Sequence, residues 1–441
     1  MTKRIILSAG QSSAGKTTLT MGLIRALSRR GLRVASAKIG PDYIDPMYHR
    51  MLGTRGYNLD HFLMEDDYIH RLLHEMERED IVVMEGAMGY YDGIGATSES
   101  SCAEMSVFTD TPSILIFSGK GRGLSLAAEI QGFLNFKENR IAGIILNETK
   151  PSMYAYYKKI VEEETDLALL GCVPKIDVAL PSRYLGLYLP SEIDAFMDYA
   201  EQMADAVDRY VDVDNLLEIA EVDATPSRET APRTIAKTRV AIAMDDAFQF
   251  YYRDVLEDFE RAGVVWVPFS PLSESLPRGI SGIYLGGGYP ERYGEPLSNN
   301  KALRADLTDF TEKGGVLIAE GGGWLSLLES IDGTSGWGLF PGRAEMTDRL
   351  VHFGYHEMTA KEDGLLLKKG ESVPVHEFHY AKASEEGDGF RLIKPHGARE
   401  RVSGYHTPSI YAGFQHIHLS GNEKMRTRVL CALEEAEVWR G

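Results

Sequence analysis

Cysteine is scarce in this chain: Cys102, Cys172 and Cys431 are the only three in 441 residues. So few and so scattered, they exclude a disulfide framework and a zinc site. Cys172 in LLGCVPK and Cys431 in VLCALEE lie among apolar residues, where buried packing is the expectation. Long hydrophobic runs are missing as well. No stretch has the length of a membrane span, and the opening MTKRIILSAGQ reads as a strand entering a loop, without the small-residue cleavage site of a signal peptide. The expectation is a cytoplasmic protein with no membrane association. Positive charge is also short: 47 basic residues against 65 acidic ones leave a formal charge of −18. Such a surface repels a phosphate backbone, which argues against nucleic acid as a partner. An anionic substrate would have to be met by a local basic pocket.

What remains is ordinary for a globular protein, with 44% hydrophobic and 25% charged residues. The length exceeds what one core usually organises, so two domains are expected. KRIILSA (3–9) forms a β-rich run, followed by a glycine loop and an amphipathic helix over roughly 16–30. RVASAKIG, IVVMEGAMG (81–89), SILIFSG (113–119) and RIAGIILNE (140–148) continue the strands, and LALLGCVPK (167–175) fits one more at an edge. Strands alternating with helical stretches indicate an α/β fold with a doubly wound parallel sheet. Residues 221–238 turn polar, proline-bearing and aperiodic, the text of a linker. A second α/β series follows with RVAIAMD (239–245), VVWVPFS (264–270), GIYLGGG (282–288) and GVLIAEGGG (315–323). The expected division is therefore 1–220, linker 221–238, and 239–441. Internal repeats and low-complexity tracts are not evident.

Gly10-Gln-Ser-Ser-Ala-Gly15-Lys16-Thr17 satisfies G-x4-G-K-[ST] between a predicted strand and a predicted helix. In such a loop the backbone N–H groups of Gly10, Ser12, Ser13, Ala14, Gly15, Lys16, Thr17 and Thr18 would cradle ATP phosphates at a helix N-terminus. Lys16 would reach the terminal phosphates, and the Thr17 hydroxyl would hold Mg2+. Glu85 ends the apolar IVVME, at the carboxyl edge of a parallel sheet where ligands bind. It is suited either to magnesium or to plain strand termination. Asn147, ending another strand, could hydrogen-bond an adenine edge. GPDYIDP (40–46) carries Asp42 and Asp45 on a loop stiffened by two prolines. They could serve magnesium or the acyl acceptor, or could simply be turn formers.

Ten stretches in order from residue 10 to residue 419 resemble one family closely: GQSSAGKTT, KIGPDYIDPMYH, NLDHFL, VMEGAMGYYDG, IAGIILNE, ALPSRYLGL, YLGGGYPERY, LFPGRAEMT, HEFHY and QHIHL. The family is the cobyrinic acid a,c-diamide synthases, a dethiobiotin-synthetase-like nucleotide-binding domain fused to a class I glutamine amidotransferase domain. The resemblance implies ATP-dependent amidation of a tetrapyrrole carboxylate through an acyl phosphate. It implies Lys16 in catalysis, Thr17, Asp45 and Glu85 as metal ligands, and Asp42, Tyr43 and His49 at the substrate. Two stretches depart from the family pattern. IFSGKGRG (116–123) stands where a stretch like VVDASG is usual, and TSESSCAEM (97–105) matches loosely.

The larger departure is in the second half. The resemblance implies a cysteine nucleophile in a pattern like AECGG, but the chain reads Ala319-Glu320-Gly321-Gly322-Gly323. Gly287 and Gly288, after Gly286, match the oxyanion-hole loop, and His416 matches the general base. A glycine tolerates the strained elbow conformation while removing the covalent chemistry, at a cost on the order of a million-fold in rate, about 8 kcal/mol of barrier. The implied nitrogen donor is ammonia, free or derived from glutamine elsewhere, and a homodimer is the candidate assembly. The rival reading is a non-catalytic scaffold that holds a tetrapyrrole or a partner on a relic amidotransferase domain. HEFH (376–379) is no zinc motif: its histidines are spaced i, i+3 and its flanks are strand-like.

Overall fold

The structure, a computed structural model, describes residues 1–176, 182–183, 186–187, 196–226 and 233–441. It divides into two compact units, residues 1–61 with 66–229, and residues 62–65 with 230–441. Most of ALPSRYLGL lies outside the described residues.

In the first unit, seven parallel strands run β1 (Thr2–Ala9), β2 (Val34–Ile39), β3 (Tyr57–Leu59), β4 (Ile81–Glu85), β5 (Ser113–Ser118), β6 (Ile141–Asn147) and β7 (Ala168–Cys172), in the order β3-β2-β4-β1-β5-β6-β7. Their apolar runs are continuous because helices cover both faces of a doubly wound sheet. Ile5, Leu7, Val83, Ile114 and Ile116 are all buried in one core with Leu19, Leu23 and Leu27. Those three leucines lie on helix α1 (Lys16–Arg29), whose i, i+4 spacing turns one apolar stripe inward. The stripe packs on helix α3 (Phe196–Tyr210) through Tyr199 and Met203. Truncating one such leucine to alanine costs about 2–5 kcal/mol. Helix α2 (Ile44–Met51) follows β2 and carries Asp45 and His49.

The expected linker is structured at both ends. Glu221 and Val222 pair antiparallel with the start of β1, and Arg4, 2% exposed, donates to the Asp223 carbonyl and to the Thr225 hydroxyl, both at 3.1 Å. At the other end, the Ile235 N–H donates to Ala262 O at 2.7 Å and the Ala236 N–H to Glu434 at 3.0 Å. These partners are distant in sequence, so the local polar pattern gave no sign of them.

The second unit holds a six-stranded sheet of β8 (Thr238–Ala243), β9 (Val264–Phe269), β10 (Gly282–Leu285), β11 (Val316–Glu320), β16 (Tyr405–His406) and β17 (Ile410–Gly413), in the order β9-β8-β10-β11-β17-β16. Between β11 and β16 the chain builds a second, antiparallel sheet. It comprises β12 (His352–Ala360), β13 (Ser372–His379), β14 (Phe390–Ile393) and β15 (Glu400–Ser403), ordered β13-β12-β14-β15. HEFH is the end of β13, as its flanks suggested. Helix α4 (Gly322–Ser326) leaves β11 directly and is wholly buried.

Candidate functional site

At the carboxyl end of β1 the chain makes the glycine loop and enters α1. Gly15 takes φ 87°, and a Cβ there would stand 2.2 Å from the Asn147 amide nitrogen, so only glycine fits. Gly10 begins the turn beside Phe133, Ser12 and Ser13 are exposed, and Ala14 is half-buried. Asn147 donates to the Ala14 carbonyl at 3.0 Å. Its amide braces the loop from β6. Thr18 meets the Tyr199 hydroxyl at 2.9 Å, so its side chain ties the loop to α3. The Lys16 ammonium donates to the carbonyls of Gln11 (3.1 Å) and Met88. Burial, then the neighbouring Lys38 charge, pull its pKa below the usual lysine range.

Beneath the loop lies a polar cluster built on the buried Lys38 and Glu85. The Thr17 hydroxyl donates to Glu85 Oε1 at 2.6 Å and is 3.4 Å from Asp45 Oδ1. Lys38, near the end of β2, sets its ammonium 2.5 Å from Asp45 Oδ2 and 2.9 Å from Glu85 Oε1, with Asp42 on the rim at 3.8 Å. Glu85 is fully buried, which disposes of its reading as an ordinary surface acid. Burial alone would raise its pKa, but Lys38, His49 and Thr17 outweigh that and hold it low, at about 2. Asp45 moves the other way: burial and the Glu85 charge lift it to about 6. Lys38 is held well above the usual range, because Asp45 and Glu85 more than offset its burial.

The substrate residues expected from the resemblance separate. Asp42 is exposed at the mouth of the cluster, and Tyr43 is half-buried at the start of α2. His49 is corrected: it is fully buried, with Nε2 3.0 Å from Glu85 Oε2, and so supports the carboxylate from behind. Lys38 itself was missed by sequence reasoning, although KIGPDYIDP begins with it. A lysine among the small and apolar residues of VASAKI was the available signal.

In the second unit, Gly321 sits between β11 and α4 with φ 51°, ψ −110°, a region that side-chain-bearing residues populate only under strain. The structure brings Gly321, Gly287 and His416 together. A Cβ built at Gly321 would lie 2.7 Å from His416 Cε1 and Nε2, and one at Gly287 2.7 Å from Cε1. His416 is clamped by β13: its N–H donates to His376 O at 2.8 Å, and the His376 N–H returns to His416 O at 3.1 Å. The preceding Gln415 donates to the buried Glu377 at 2.7 Å, which also pairs with Arg401. Glu320, fully buried, lies 3.7 Å from His416 Nδ1, accepts from the Ile417 N–H at 3.2 Å, and is 3.2 Å from the Tyr284 hydroxyl. Gly286 donates its N–H to the Tyr251 hydroxyl at 2.9 Å. Glu320 and Tyr251 were not anticipated. Among the described residues no group of three or more His, Cys, Asp and Glu side chains is placed to hold a metal, and no helix is long and apolar enough to cross a membrane.

A strand–glycine loop–helix with a Thr-Asp-Glu cluster beside it, coupled in one chain to a strand–elbow–helix facing a histidine, defines a nucleotide-binding amide ligase joined to an amidotransferase-type domain. Residues 5–185 match the CobQ/CobB/MinD/ParA nucleotide binding domain, and residues 239–424 match the CobB/CobQ-like glutamine amidotransferase domain. Relatives named cobyrinate a,c-diamide synthase run the full length. That of Listeria monocytogenes serotype 4b is 37% identical over 98% of this chain and 99% of its own. That of Salmonella typhimurium is 36% identical over 97% of each, and that of Thermoplasma volcanium is 34% identical over 95% and 94%. The chain belongs to the cobyrinate a,c-diamide synthase family of carbon–nitrogen ligases.

Proposed function

We propose that the chain is a cytoplasmic ligase that amidates acetate side chains of a corrinoid or related tetrapyrrole with ATP, drawing on ammonia that it does not itself make from glutamine. The carboxylate oxygen attacks the γ-phosphorus and ADP leaves. Ammonia then attacks the acyl carbon, and phosphate departs with the C–O bond electrons. Lys16 and the loop N–H groups hold the terminal phosphates as charge shifts between two anions. Thr17, Asp45 and Glu85 present only oxygen donors in one cluster, the donor set that magnesium takes. When bound, magnesium screens the phosphate charge. His49 and Lys38 orient Glu85, and Asp42 and Tyr43 face the acceptor from the mouth of the cluster.

This reading is supported by a complete G-x4-G-K-T loop set against Gly321, which stands where the resemblance expects the glutaminase cysteine. Gly287 and Gly288 would form the oxyanion hole and His416 the base, but no thiol stands beside them. The test is mass spectrometry of candidate tetrapyrroles incubated with the chain, ATP, Mg2+ and either ammonium or glutamine. A gain of one amide per reacted carboxylate is expected with ammonium alone. No amide with any donor, alongside retained tetrapyrrole binding, would favour the scaffold reading instead.

A further inference from the structure

The acidic pair assigned above to magnesium already holds a cation of the chain itself. The Lys38 ammonium lies between Asp45 Oδ2 (2.5 Å) and Glu85 Oε1 (2.9 Å), and the lysine is 3% exposed. The other lysine of the site is held differently, since Lys16 rests on the neutral carbonyls of Gln11 and Met88. Two carboxylates and one ammonium leave the pair with a single net negative charge. A divalent ion entering beside Lys38 would set three positive charges against two negative ones, in surroundings where charge is poorly screened. Entry therefore requires the ammonium to leave, or further negative charge to arrive. A nucleoside triphosphate brings that charge, and the flexible four-carbon stem of lysine lets the ammonium move while its Cα stays in β2.

We infer that Lys38 is a competing cation. It occupies the place between Asp45 and Glu85 that a divalent metal would take, so the pair accepts the metal together with nucleotide and not before it. This rests on the reading of Thr17, Asp45 and Glu85 as metal ligands. The consequence is an order of events: the metal-free chain keeps its buried carboxylates paired, and metal and nucleotide arrive as one complex.

The experiment uses Mn2+ as the probe on the full, nucleotide-free chain, with free Mn2+ counted by electron paramagnetic resonance. Lys38→Gln should bind one Mn2+ at least about tenfold more tightly than the unaltered chain, the effect of withdrawing one neighbouring positive charge. The double variant Lys38→Gln/Asp45→Asn should lose that gain. Equal Mn2+ affinity with and without Lys38 overturns the inference. If Lys38→Gln folds only when Mn2+ is present, followed by far-UV circular dichroism, the metal has taken the ammonium's place and the inference stands. If Lys38→Gln and Lys38→Met both fail to fold with or without Mn2+, it falls. The metal-ligand reading is tested separately by the Mg2+ requirement for ATP binding in Asp45→Asn and Glu85→Gln. A raised requirement there, with no Mn2+ gain in Lys38→Gln, removes the competing cation alone; an unchanged requirement removes both.

Discussion

The two parallel sheets end in similar constructions that have reached opposite states. After β1, a turn needing positive φ at Gly15 leads into α1, and Thr17, Asp45 and Glu85 gather beside it. After β11, a turn with positive φ at Gly321 leads into α4, and the histidine that would serve a nucleophile instead packs against glycine. The strained backbone persists at Gly321 without a reactive side chain, so it is built by its surroundings. The Gly321 N–H donates to Gly413 O at 2.9 Å, and α4 is buried on all sides. Glycine makes that conformation cheap, and the ring of His416 stands 2.7 Å from where a β-carbon would be.

The largest effect that would break this comparison concerns glutamine. The unaltered chain should release glutamate on the order of a million-fold more slowly than a relative bearing the cysteine. Glutamate release at ordinary enzymatic rates would mean the nucleophile lies elsewhere. Next in size, Lys16→Ala should lower ATP turnover by about a hundred- to thousand-fold, the usual cost of one donor to developing charge. Turnover and calorimetric ATP affinity equal to those of the unaltered chain would remove Lys16 from the chemistry.

A smaller effect sharpens the view of the second site. Gly321→Ala should destabilise by about 1–3 kcal/mol in urea unfolding, because its Cβ meets His416 at 2.7 Å in a backbone region that strains side-chain-bearing residues. A neutral result would mean that the ring moves aside freely. It would then make Gly321→Cys a practical route to restoring glutamine use.

An effect of comparable size separates the units by pH. Burial first, then Arg401, depresses His356 to about 4 despite the opposing pull of Glu377, and burial depresses His379 to about 4 as well. Unfolded histidine titrates near 6.5, so between about pH 6.5 and 4 the unfolded chain binds more protons. The stability of the second unit is therefore full above about pH 6.5, and falls as pH drops toward 4 by on the order of a few kcal/mol. All four tryptophans, Trp266, Trp324, Trp337 and Trp439, belong to that unit, so their fluorescence reads it alone. In the first unit Asp45 is raised to about 6, which works in the opposite direction over the same range. Tryptophan-detected melting points that stay level from pH 7 to 4.5 would contradict the assignment of these rings as buried and neutral.

Much was legible in the chain because its signals are local. The alternation of apolar strands and amphipathic helices is written in short windows, and β1, β2 and β4 to β7 fall where those windows placed them. The phosphate loop is a contiguous spacing, and Gly321 is a single letter in a recognisable pattern. The antiparallel sheet β12–β15 was not read, since its strands alternate weakly and pair over long separations. His49, assigned to the substrate, proves to be buried against Glu85, and the bonds of Asn147 to Ala14 and of Thr18 to Tyr199 join residues too far apart in sequence to be read there.

By itself, the sequence determined two α/β units, a nucleotide loop and an elbow without a thiol, because each depends on residues adjacent along the chain. Only the tertiary structure decided that Lys38 lies between Asp45 and Glu85, and that His416 closes on Gly321. Those contacts join ends of different strands, and their energies depend on burial and charge separation in three dimensions, which no local spacing records.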